Sequence, residues 1–163
     1  MSNTAAVSAA AGGPKGLALL GLDRFVFGHW LAGAPRQRAL FGASIGAWRM
    51  AAAAQRHPLP ALARLEHAYL ERQRYPDRPS ASQVSSVCRQ VVRDLIDHDP
   101  SAFVARSDPA MRLHVVTARA ATRGPAATRR GLLRAALDNA IARERLAAHL
   151  QRVVFISGDG PSA

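Results

Sequence analysis

Ser44 stands between Gly42 and Gly46 in the stretch LFGASIGAWRMAAAA, Leu40 to Ala54, at the spacing G-x-S-x-G. A serine hydroxyl attacks a carbonyl carbon when a sharp turn exposes it, a base takes its proton, and fixed donors receive the charge that develops on the oxygen. Small residues two positions either side of the serine permit that turn where a strand runs into a helix, with the helix N-terminus beneath the hydroxyl. The flanking residues fit both halves. Ala39 to Ala43 is a short apolar run that reads as a strand, and Ile45 to Arg56 reads as a helix.

A second glycine-rich turn, Gly12-Gly13-Pro14-Lys15-Gly16, follows an alanine-rich strand candidate, Ala5 to Ala11, and opens a helical pattern. Backbone N–H groups at such a strand exit point outward and attract negative charge. Gly13 can donate its N–H, whereas Pro14 has none. In a parallel sheet the C-terminal ends of neighbouring strands share one edge, so both turns are expected to face the same crevice. Phosphate binding by a P-loop is the rival use, but Lys15 precedes glycine and the spacing G-x-x-x-x-G-K-[ST] does not occur.

The pair AGGPKG and GASIG resembles the patatin-like phospholipases, in which a glycine-rich loop ends the first strand and the nucleophilic serine follows the second. The resemblance covers these two motifs and the helix between them, and the remainder only by the order of elements. It implies a three-layer α/β sandwich and a Ser-Asp dyad that hydrolyses lipid acyl esters through an acyl-enzyme, with no metal, no other cofactor and no histidine base. On this resemblance Ser44 matches the nucleophile, Gly42 and Gly46 its turn, and Gly12, Gly13, Lys15 and Gly16 the oxyanion loop. Ala11 stands where the family has a glycine. The family's aspartate occupies a D-G-G or D-G-A turn. Here the corresponding form is Asp159-Gly160-Pro161, where proline removes an N–H and stiffens the turn. The expectation is that the dyad aspartate lies outside these residues, and that residues 1–163 are the N-terminal part of a single domain cut short and are hydrolytically inactive alone.

The elements that must position the two turns follow from periodicity. Pro14 suits a first helical turn, and Leu17, Leu20, Leu22, Phe25 and Leu31 carry the apolar positions of the helix after it. Gly33 to Arg38 reads as a polar loop. Helices are expected over Pro60–Arg74 and Ser82–His98, with the YPDRPS stretch breaking between them. DPSAFVARSDP reads as a loop, and Met111 to Ala118 alternates as a strand. A long amphipathic helix over Leu132–Leu150 and a last strand over Val153–Ile156 complete the pattern. Strands separated by helices predict an α/β domain with a mainly parallel sheet flanked by helices.

A chain of 163 residues is long enough for one domain that buries roughly 68 to 70% of its unfolded surface. Its charge is +11, twenty-two basic residues against eleven acidic, and Lys15 is the one lysine. The arginines are scattered and carry no interleaved aromatic platform, so no nucleic-acid surface is expected. Peripheral contact with anionic lipid is the more natural use of that charge. Cys88 is the sole cysteine, which excludes an internal disulfide and a thiolate cluster and suits a reducing compartment. With no basic leader before an apolar run, a cytoplasmic protein is expected, at most peripheral to a membrane.

Two rivals remain. A Ser-His-Asp hydrolase would draw on His57, His67, His98, His114 or His149, but several strands ordinarily precede its serine. The other rival is a catalytically inactive fragment or binding module of the same fold, acting through an open sheet edge or basic helices. No H-E-x-x-H or comparable metal spacing occurs.

Overall fold

Three segments, Ala6–Ala9, Arg38–Gly42 and Met111–Ala120, pair as the parallel core of a sheet. The computed structural model describes residues 4–33, 36–121, 130–131, 133 and 143–157. Strand β1 (Ala6–Ala9) runs parallel to β2 (Arg38–Gly42), with Ala9 beside Gly42, and β2 runs parallel to β3 (Met111–Ala120), with Leu40 beside Leu113. The sheet continues to β4 (Leu150–Ile156), in the order β1-β2-β3-β4. Ser157 N–H donates to Leu113 C=O and Ala121 N–H to His149 C=O, so β4 runs antiparallel to β3. The architecture is a four-stranded, mostly parallel sheet with flanking helices.

The chain divides into two units, Met1–Val115 with Ile156–Ala163, and Val116–Phe155. The second carries the outer half of β3 and most of β4, joined by the Ala121 bond and by Thr117 Oγ1 donating to Val153 C=O at 3.1 Å. The first carries the helices that matter for the two glycine turns. After β1 a 3-10 turn (Gly13–Leu19) leads into α1 (Leu20–Phe25), which widens into a π-helical turn over Val26–Trp30. The remaining helices are α2 (Ile45–Ala53), α3 (Pro58–Arg72), α4 (Ala81–Leu95) and α5 (Pro100–Ala105).

Helix α2 is apolar nearly all round, which marks it as the central helix. Its alanines let it approach the sheet closely, and Met50, Ala53 and Ala54 pack with Ala9, Phe27, Leu31 and Leu40. The opposite side of α2 joins Ile45 and Ala52 to Leu20, Leu62, Leu65, Tyr69, Val91 and Leu95. Alternation along β2 puts Arg38, Leu40 and Gly42 on this buried face, while Phe41 on the other face stays 36% exposed and stacks on His114 at 4.4 Å.

Several expectations need correction. Gln55 and Arg56 lie beyond α2, whose backbone leaves the helix after Ala54 to form a bridge from Gln55 to Ser107. The expected loop after His98 contains α5, because the Asp99 carboxylate accepts from Ala102 N–H and Pro100 occupies the first helical turn. Arg38, expected in a polar loop, is the first residue of β2 and only 2% exposed. Of the expected long helix, Leu132 and residues 134–142 lie outside the described residues, and Arg143–Ala148 form a 3-10 turn. β4 then starts at Leu150, three residues earlier than the apolar run suggested, and it is antiparallel.

Candidate active site

The backbone at Ser44 has φ 54° and ψ −130°, a conformation that an L-residue with a side chain rarely adopts. It is the hinge between β2 and α2. Ala47 N–H already bonds to Ser44 C=O at 2.9 Å, so the helix begins immediately beneath the serine, and the side chain is left exposed. The two flanking glycines make this turn possible by close approach. A Cβ on Gly42 would lie 2.4 Å from Ala47 Cα, and one on Gly46 only 2.2 Å from the Ala9 carbonyl oxygen. Neither space exists. The G-x-S-x-G spacing is therefore required by backbone packing on both sides of the serine.

The second turn meets the first. β1 ends against the start of α2, with Ala43 N–H donating to Ala9 C=O at 3.3 Å. Gly13 has φ +54°, the left-handed region that favours glycine, and reverses the chain after β1. Gly16 is buried with its Cα against Ile45, where a Cβ would come within 2.6 Å of Cγ2. The residues Gly12, Gly13, Lys15 and Gly16 thus form the loop directly beside the Ser44 turn. Lys15 is exposed.

Below the serine, α1 and α2 are tied by a buried ion pair. Arg49 Nε lies 2.5 Å from Asp23 Oδ2 and Arg49 Nη2 2.7 Å from Oδ1, with both side chains more than nine-tenths buried. This two-pronged contact fixes α2 from underneath and commits the Asp23 carboxylate to arginine. Sequence reasoning missed it, since neither residue belongs to a motif.

Among the described residues Ser44 Oγ makes no hydrogen bond. The histidine candidates are elsewhere. His57 and His67 are exposed at the start and middle of α3, His98 Nε2 sits 3.3 Å from Asp94 Oδ1, His114 stacks on Phe41, and His149 accepts through its backbone from Ala121. Asp159 lies outside the described residues. No family model, curated protein or solved structure matches this chain. No group of three or more metal-ligating side chains occurs among the described residues, and no described helix is long and apolar enough to cross a membrane.

Two of the hollows among the described residues bear on the helices. One of about 640 Å³ opens at the opposite end of the strands from Ser44, between the first residues of β2 and β3, with Phe27, Arg38, Gln55 and Met111 on its walls. A shallow, largely open one of about 310 Å³ lies between α2 and α4. It is walled by Trp48, Cys88 and Val92, with Arg89 and Arg93 beside them. Neither was visible in the sequence, because their walls come from residues that share no motif.

Proposed function

We propose that this chain carries the nucleophile and oxyanion loop of a serine acyl hydrolase of the patatin-like kind, acting on lipid acyl esters. The observation that carries the reading is the φ 54° backbone of an exposed Ser44 at a strand-to-helix turn, with the loop Gly12–Gly16 packed against Ile45. A strained backbone held in place by two sterically required glycines is the kind of feature that persists at functional sites.

In the reaction, Ser44 Oγ bonds to the ester carbonyl carbon while its proton passes to an aspartate base. The carbonyl π electrons move to oxygen, and the N–H groups of the Gly12–Gly16 loop and the α2 N-terminus stabilise that charge. Collapse expels the alcohol, which takes the proton, and leaves an acyl-enzyme. Water then repeats the sequence, releasing a carboxylic acid and restoring the serine. The base belongs to the reading by resemblance, with Asp159 as the one acid in an Asp-Gly turn. The three-layer sandwich, the cytoplasmic location and contact with anionic lipid are parts of the same proposal.

The reading is tested by treating the protein with a fluorophosphonate probe beside its Ser44→Ala variant. Labelling mapped to Ser44 is expected. Equal labelling of serine and alanine forms overturns the nucleophile.

A further inference from the structure

Helix α4 is amphipathic in an uneven way. Val91 and Leu95 on one side are buried in the core with Ile45, Leu62 and Leu65. Toward its N-terminus the same side continues as Val84 and Val87, but Val84 is 36% exposed and Val87 half-buried. Cys88 and Val92, one turn apart beside this stripe, are also half-buried. Cys88 and Val92 are thus left half-buried where α4 faces Trp48 of α2.

The residue that α2 presents to this strip is Trp48. It is half-buried, packs on Tyr69 with ring centroids 6.1 Å apart, and forms the other wall of the 310 Å³ hollow with Cys88 and Val92. Trp48 follows Ser44 by one helical turn, and its N–H bonds to the Ser44 carbonyl at 3.4 Å. Four residues of helix advance roughly 6 Å along the axis. The hollow thus lies one turn behind the serine on the same helix. Its walls are an indole face, a thiol and an isopropyl group, so a polar occupant would lose hydrogen bonds to water without replacing them. The stems of the exposed Arg89 and Arg93 extend the apolar wall while their guanidinium heads stay in water.

We infer that the hollow walled by Trp48, Cys88 and Val92 receives the hydrocarbon chain of the acyl group transferred to Ser44, and so sets the chain length this protein accepts. The inference rests on Ser44 being the nucleophile. A chain leaving the ester carbonyl passes the first turn of α2 and lies between Trp48 and the Cys88–Val92 side of α4. A short acyl group reaches Ser44 without entering the hollow. Chain-length preference is thereby assigned to α4, a helix that contributes nothing to the serine turn or the glycine loop.

Cys88 makes the test direct, because it is the sole thiol of the chain and sits in the hollow wall. Ser44 is modified with an ethyl or a dodecyl fluorophosphonate, fluoride leaving as the Oγ–P bond forms, and the rate of Cys88 alkylation by iodoacetamide is measured. The dodecyl adduct is expected to slow alkylation about tenfold, as burial of at least two methylenes in the hollow would require, and the ethyl adduct to leave it unchanged. In Val92→Trp, which fills the hollow, the preference for dodecyl over ethyl labelling should fall by a similar factor while ethyl labelling of Ser44 persists. If both adducts form and neither alters Cys88, or Val92→Trp keeps the preference, the chain goes elsewhere and the inference is overturned with the nucleophile intact. If neither probe reacts at Ser44, the nucleophile reading falls and takes the inference with it.

Discussion

Arg49 grips Asp23 with two nitrogens from inside the protein, 2.5 and 2.7 Å from the two carboxylate oxygens, and thereby ties the helix that follows the glycine loop to the helix that follows the serine. Both turns of the candidate site open helices that this pair connects. A buried pair of this kind gives little net stability against an apolar replacement, but removing one partner leaves the other as an uncompensated buried charge.

Arg49→Ala and Asp23→Ala should each lower stability by about 3 to 5 kcal/mol, while Asp23→Leu with Arg49→Met should recover most of that loss. Urea denaturation of the wild type, the two alanine variants and Asp23→Ala with Arg49→Ala closes a double-mutant cycle that isolates the pair. If the single variants cost under about 1 kcal/mol, as an exposed pair would, the description of Asp23 and Arg49 as a buried clamp is wrong.

At Ser44 the strain itself is measurable. A non-glycine residue held in such a region costs on the order of 1 to 3 kcal/mol, and glycine adopts it freely at an entropic cost of about 0.5 to 1 kcal/mol. Ser44→Gly should therefore raise the unfolding free energy by about 1 kcal/mol while abolishing fluorophosphonate labelling. Ser44→Ala should abolish labelling without the gain. An unchanged or lower midpoint for Ser44→Gly would mean that the turn is not strained in solution.

Why these turns were legible in the sequence, and much else was not, has a physical basis. Gly42 and Gly46 mark places where backbone meets backbone, at Ala47 and at Ala9, so a spacing of small residues encodes the turn directly. β2 and α2 follow from their apolar patterns. The clamp of Asp23 and Arg49, buried Arg38 and the hollow beside Trp48 depend on residues brought together from distant segments, and a charged residue in the sequence reads as solvated until its partner is placed. Helix α5 is a different case. Its signal, Asp99 capping a turn that opens with Pro100, was present in the sequence but was read as loop chemistry because aspartate and proline serve both. The reversal of β4 relative to β3 is a matter of topology, for which a run of apolar residues gives no direction.

Gly46 and Gly21 should respond in opposite ways to the same substitution. A methyl group on Gly46 would press into the Ala9 carbonyl, which belongs to the backbone and cannot rotate away, and overpacking of that kind costs typically 1 to 3 kcal/mol, about 3 here. Gly46→Ala should also reduce Ser44 labelling, because relief of the clash moves α2 away from β1. Gly21 lies exposed in α1 with nothing near its Cβ position, and Gly21→Ala should stabilise by about 0.5 to 1 kcal/mol. Thermal denaturation and probe labelling of the two variants decide the matter, and equal effects would contradict the close approach at Gly46.

The last prediction concerns pH. The chain has two tyrosines, Tyr69 and Tyr75, and both phenols are raised above the ordinary value of 10.0. For Tyr69 burial against Trp48 and the core is the main cause, followed by the nearby ionisable groups of Tyr75 and Cys88. For Tyr75 burial again comes first, followed by Cys88. A phenol is neutral when protonated, so a raised value means that the folded state holds its proton longer than the unfolded state. Below pH 10.0 both states are protonated and the tyrosines contribute no pH dependence. Above it the unfolded chain ionises first, binds fewer protons than the folded one, and stability falls as pH rises through the folded values. Tyrosinate absorbance should accordingly appear above pH 10.0 in the native protein and move back to about 10 in urea. Cys88→Ser should lower both native midpoints, because Cys88 contributes electrostatically to raising both phenols. Native tyrosinate forming at or below pH 10.0 would show that neither ring is shielded, and that Tyr69 does not support Trp48 as described.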